Sequence, residues 1–139
     1  MARVQANRKN YRGAYKKHAY TYEKLRDGSD ITKRLILCYC VECGLKYLIM
    51  EERKIVKISQ ADEEISNILG SHDFRVLLKA VKKAGIYQFR NFQTEYGDSV
   101  NAQNYHQLCR YCIDAKDISD VNEYDKTLIE IAEWLKEVI

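Results

Sequence analysis

The sequence predicts an all-helical fold, and three observations carry that prediction. The 139-residue chain contains no proline, where average usage would give about seven, so its helices run without the residue that breaks them. Apolar side chains recur at three- and four-residue intervals in five separate segments, the period of an amphipathic helix. One segment, 35–50, is apolar on nearly every side, as suits the central rod of a bundle packed by neighbours all round. The length fits one domain, residues 1–139, with a core of its own.

Within residues 1–28, Tyr11, Ala14, Tyr15, His18, Ala19, Tyr22 and Leu25 share one stripe. Arg8, Arg12, Lys16, Lys17 and Lys24 lie largely off it, which gives a basic, tyrosine-rich amphipathic helix. Asp27-Gly28-Ser29-Asp30 breaks the pattern and offers an N-cap at Ser29 or Asp30. The second helix, about 31–53, holds Glu42 and Lys46 four residues apart in the favourable order. Buried together they need that pairing, and Glu42, Lys46 and Asp73 are the expected structural polar core. A short helical piece ends at Leu69, and Gly70-Ser71 stops it and caps the next. The helix that follows, about 72–84, sets Phe74, Leu77, Leu78 and Val81 inward and crowds Arg75, Lys79, Lys82 and Lys83 on its other face. Residues 85–100 read as a loop or short helix with Tyr87, Phe89, Phe92 and Tyr96 and a turn at Gly97-Asp98, a candidate functional loop. A helix over about 101–112 directs Tyr105, Leu108, Cys109 and Cys112 inward. The last, about 122–139, carries the stripe Tyr124, Leu128, Ile131, Leu135 and Val138.

The net charge of +3 conceals a polarity. Residues 1–26 hold eight Lys/Arg and one acid, a net of +7, while residues 113–139 hold eight acids and three lysines, a net of −5. Such asymmetry suits a basic surface for nucleic acid or an acidic partner. It equally suits terminal helices lying against each other, or against a second copy, with opposite charges facing. No apolar run is long enough to span a bilayer, so no membrane association is expected, and no secretory signal opens the chain. Five cysteines, three of them crowded at Cys38, Cys40 and Cys43, do not form a secreted disulfide framework, which points to a reducing, cytoplasmic setting. Cys40-x2-Cys43 and Cys109-x2-Cys112 supply the count of a four-cysteine zinc site, but they lie in helical context and are expected as small core residues. Neither a metal nor a cofactor is expected.

The run Arg34-Leu35-Ile36-Leu37-Cys38-Tyr39-Cys40-Val41-Glu42-Cys43-Gly44-Leu45-Lys46-Tyr47 resembles the signature helix of HEPN domains, an apolar tyrosine-containing stretch leading into Glu-x-x-Leu-Lys. Gly70-Ser71-His72-Asp73-Phe74 is similar to the family's glycine and His-Asp opening of the next long helix. Leu108-Cys109-Arg110-Tyr111 resembles the Arg-Tyr pair of the subgroup that accompanies nucleotidyltransferases. The resemblance covers residues 30–115; the basic first helix and the acidic segment 120–139 are compatible with it. It implies a compact four- to five-helix bundle, often dimeric, and a family that includes metal-independent endoribonucleases and partner subunits of bacterial toxin–antitoxin and antiviral systems.

The ribonucleases of that family carry an arginine followed by four to six residues and then a histidine, late in the domain, and no histidine follows Arg110 here. The one literal match, Arg12 and His18, lies before the signature helix. The resemblance therefore implies a small binding or partner subunit of a defence system. Its assembly would be a homodimer, and its ligand RNA or a partner protein such as a nucleotidyltransferase-like antitoxin. Arg8, Arg12, Lys16, Lys17, Arg75, Lys79 and Tyr111 are the candidate contacts. The alternatives are an endoribonuclease with a non-standard site, drawn from His72, His106 and Arg110 or from Arg12 and His18, or a purely structural interaction module. Metal-independent RNA cleavage needs a base for the 2′-hydroxyl proton and a cation for the developing charge on phosphorus, which a histidine and an arginine supply. In a structural role, His72 would instead help cap its helix and Arg110 would pair with Glu42 or Asp73 inside the bundle.

Overall fold

A computed structural model describes residues 4–25 and 28–139; Arg3, Arg26 and the Asp27 helix break lie outside the described residues. The fold is the all-α helical bundle that the periodicity predicts. Among the described residues the helices are α1 (Arg8–Lys24), α2 (Asp30–Glu52), α3 (Glu63–Leu69), α4 (Phe74–Ala80), α5 (Tyr105–Arg110) and α6 (Ile118–Val138). A single 3-10 turn (Ile58–Gln60) follows α2, and two-residue strands β1 (Phe92–Gln93) and β2 (Ser99–Val100) pair antiparallel between α4 and α5.

The second helix is the central rod. It packs against α1, α4, α5 and α6, and Leu37, Val41, Leu45, Ile49 and Met50 are excluded from solvent in successive turns. Ser29 caps it, its hydroxyl accepting from Thr32 N at 3.2 Å. The first helix lies antiparallel to it: Arg8 N bonds Val56 O at one end, and the His18 and Tyr39 rings meet toward the other. Tyr15, the buried residue of α1, covers Gly44 of the rod together with Leu135 of α6. Lys46 is 4% exposed in this wall and bonds Glu42 Oε2 at 3.0 Å, the i,i+4 pair that burial demands.

Three helices end where the sequence gives no glycine. After α2, α4 and α5 the chain turns through Lys54, Lys82 and Cys112, with φ of 57°, 61° and 54°. The next amide in each case bonds five residues back, Ile55 N to Met50 O, Lys83 N to Leu78 O and Ile113 N to Leu108 O. These are Schellman closures built on left-handed non-glycine residues. They shorten two expected helices: α4 stops at Ala80 instead of running to about 84, and α5 occupies 105–110 of the expected 101–112. In consequence Cys112, expected inward, is exposed. The last helix begins four residues earlier than expected, capped by Asp117, and Val138 of its expected stripe is 45% exposed beyond the reach of the core.

Residues 85–100 are structural. Phe89 and Phe92 pack on Tyr124 of α6, which stacks on Tyr105 of α5 with ring centroids 3.9 Å apart. Tyr105 Oη donates to Asp125 Oδ1 at 2.9 Å, and Arg34 pairs with the other oxygen of Asp125. This network ties α2, α5 and α6 together. No helix among the described residues is long and apolar enough to cross a membrane.

Candidate functional site

All three histidines of the chain line one edge of α2. Helical spacing places Tyr39, Glu42 and Lys46 along that edge, and three other elements bring side chains to it. From α1, the His18 ring lies 5.8 Å from the Tyr39 ring. Just before α4, His72 Nδ1 lies 3.0 Å from Glu42 Oε1. From α5, the His106 ring stands 5.3 Å from that of His72, and Arg110, one turn further on, hydrogen-bonds Tyr39 and Tyr111. Glu42 thus serves two partners at once, Lys46 from one oxygen and His72 from the other.

The structure brings His72, His106 and Arg110 together, and the partners that a structural role would give His72 and Arg110 differ from those expected. Asp73, not His72, caps α4: its Oδ1 accepts from Arg75 N at 2.9 Å, while Ser71 Oγ accepts from Asp73 N. Arg110 is exposed and bonds neither Glu42 nor Asp73. Asp73 holds a structural place apart from Glu42 and Lys46, its carboxylate engaged by the α4 cap and by Arg75.

The electrostatics of this face are uneven. Burial depresses the pKa of His106, and His72 and Arg110 depress it further, against the opposing pull of Glu42 and a backbone hydrogen bond at Gln103. Burial also depresses His18. Tyr39 and Tyr111 stabilise the guanidinium of Arg110 and raise its pKa. At neutral pH the face therefore holds a neutral imidazole at His106 beside a fixed cation at Arg110. A neutral base, a carboxylate-bound histidine and an exposed guanidinium together can take a proton and hold an anion.

The expected ligand contacts are divided. Tyr111 is exposed beside Arg110 and belongs to the histidine face. Arg8 and Arg12 line a separate groove of about 450 Å³ with Tyr47 and Lys57. Lys16 lines a third, between α1 and α6. Lys17 and Lys79 are exposed on α1 and α4, and Arg75 is held by Asp73. Arg12 and His18 diverge: six residues apart on a helix they point about 120° from each other, Arg12 toward Tyr47 and His18 toward Tyr39. The four cysteines do not converge either. Cys40 donates to Tyr15 O, Cys109 lies against Cys38, and Cys112 is exposed.

Sequence reasoning paired His18 with Arg12 and missed its meeting with Tyr39. Tyr39 is three residues from Glu42 and seven from Lys46, the spacing of one helix edge, so that signal was present. Nothing local says that His18 faces that edge.

Comparison with family models, with curated proteins and with solved structures finds no match to this chain.

Proposed function

We propose that this chain is a HEPN-like binding subunit of a bacterial toxin–antitoxin or antiviral defence system, a cytoplasmic homodimer that holds RNA on its histidine face. The family assignment rests on the motif fragments around Glu42, His72 and Arg110. The observation that carries the function is that those three fragments, distant in sequence, meet on one edge of α2 with Arg110 and Tyr111 exposed beside them. Arg110 offers a phosphate a guanidinium fork, and Tyr111, 62% exposed, offers an unpaired base a stacking surface. Binding of a fluorescent single-stranded RNA at two salt concentrations tests this. Affinity that falls with salt, and falls about tenfold further in Arg110→Ala, supports it. RNA affinity absent from the wild type, or unchanged in Arg110→Ala and Tyr111→Ala, overturns it in favour of a purely structural interaction module.

The adjacency of His72 and His106 favours a second reading, an endoribonuclease needing no metal. In it His106, neutral, takes the 2′-hydroxyl proton, His72 gives a proton to the leaving 5′-oxygen, and Arg110 meets the charge on phosphorus. Cleavage of RNA in the presence of EDTA, lost in both His72→Ala and His106→Ala, selects this reading. Intact RNA under the same conditions selects the binder.

A further inference from the structure

The groove between α1 and α6 has no role in the histidine face. It encloses about 530 Å³ over Leu37 and Cys40 of the central rod. Its floor is apolar, and its rims carry apolar side chains that the bundle leaves in water: Tyr20 is 64% exposed and Ile129 38% exposed. Exposed apolar surface rimmed by charge is the mark of an association site.

The charges on the two rims identify the partner. On the α1 side stand Lys16 and Lys24, the latter over the Tyr20 ring at 5.5 Å. On the α6 side stands Glu133. The basic and acidic ends of the chain are therefore neighbours, yet they scarcely neutralise each other. Among the described residues the ion pair between α1 and α6 is Glu23 with Lys136 at 3.6 Å, an acid from the basic helix and a base from the acidic one. Lys16, Lys24 and Glu133 enter no ion pair among the described residues.

With Glu23 and Lys136 spent on each other, the unpaired charges lining the apolar trough are Lys16 on the α1 rim and Glu133 on the α6 rim, an arrangement complementary to itself. A two-fold axis running along the trough lays each copy's basic rim on the other's acidic rim and closes both apolar floors. A symmetric set of like charges would forbid that contact. We infer that α1 and α6 form the homodimer interface, Lys16 of one copy facing Glu133 of the other. The inference rests on the homodimer put forward above and names its surface; it is independent of RNA binding.

Sedimentation equilibrium of the full chain tests it with two charge reversals at exposed positions, Lys16→Glu and Glu133→Lys. Each places like charges across both halves of the interface and is expected to raise the dimer dissociation constant about tenfold or more, without loss of helical circular dichroism. Mixing the two variants restores opposite charges at both contacts, so a heterodimer of wild-type affinity forms, which unfolded proteins cannot do. A dimer indifferent to both reversals, or reversals that mixing does not rescue, overturns this surface and leaves the homodimer standing. A monomeric wild type overturns both, and assigns the trough to a different partner. RNA affinity is measured separately through Arg110, so a failure there does not count against the interface.

Discussion

His72 Nδ1 lies 3.0 Å from Glu42 Oε1, and that contact fastens the mouth of α4 to the middle of the central helix. The same carboxylate holds Lys46, whose side chain is only 5% exposed, through its second oxygen. Glu42 is therefore the hinge between a structural charge and a surface histidine, and its replacement has two effects.

Glu42→Gln keeps the shape of the side chain and removes its charge. Lys46 is then a buried ammonium with no carboxylate, which in a buried pair costs 3–5 kcal/mol; with Glu42 partly exposed, a loss of about 2 kcal/mol is expected. Adding Lys46→Met removes the orphaned charge and should restore most of the stability. Urea denaturation of the two single variants and the double variant checks this as a double-mutant cycle, whose coupling energy should be well above zero.

Lys82 closes α4 at a φ of 61°, a conformation that costs an L-residue roughly 1 kcal/mol and glycine almost nothing. Its side chain is exposed. Lys82→Gly is therefore expected to stabilise the bundle by about 0.5–1 kcal/mol, a rise in thermal midpoint of about 2–3 °C. A fall in the midpoint would show that the left-handed turn is not the native ending of the helix.

That same turn explains what the sequence hid. The central rod was legible because no amphipathic surface helix is apolar on every side, and Glu42 with Lys46 was legible because burial allows a charge pair few alternatives. The lengths of α4 and α5 were not, since periodicity continues through Lys82 and Cys112 and neither residue type announces a left-handed stop. The aromatics from Tyr87 to Tyr96 showed a turn at Gly97, but a two-residue strand pair is too short to have a period. Their packing on Tyr124 is a tertiary fact. The candidate site was half legible. His72, His106 and Arg110 could be picked out as one set by residue type and motif, whereas the meeting of His18 with Tyr39 depends on the rotation of α1 about its axis, which its broad tyrosine stripe leaves open.

Two glycines inside helices should respond to alanine with opposite signs. At Gly13 of α1 an added Cβ meets nothing within 4 Å, so Gly13→Ala gains the helix propensity alone, about 0.5–1 kcal/mol. At Gly44 the same atom would sit 2.7 Å from Leu135 Cδ1 and 2.9 Å from Tyr15 Cδ1. Both neighbours are buried, so the tyrosine ring and the leucine must shift. Overpacking of this kind costs 1–3 kcal/mol against the same propensity gain, for a net loss of about 1 kcal/mol. Thermal melts of the two variants should move apart by about 5 °C.

Acid should weaken the bundle through its partly buried histidines. His106 and His18 both have pKa values below the ordinary 6.5 in the folded chain, chiefly through burial. Above about pH 6.5 both are neutral in either state and contribute no pH dependence. As the pH falls through that value the unfolded chain takes up protons that the folded chain still refuses. Stability then declines until the depressed folded pKa values are reached, where the slope vanishes. Asp125 acts in the opposite sense: burial raises its carboxyl pKa despite Arg34 and Tyr105, so the folded state accepts its proton first at lower pH. Denaturation midpoints between about pH 7.5 and 5 should therefore fall, and His106→Asn and His18→Asn should each flatten part of the fall. Imidazole proton shifts followed by NMR give the complementary check, His106 titrating below 6.5 in the native protein and moving upward when Arg110→Ala removes the neighbouring charge.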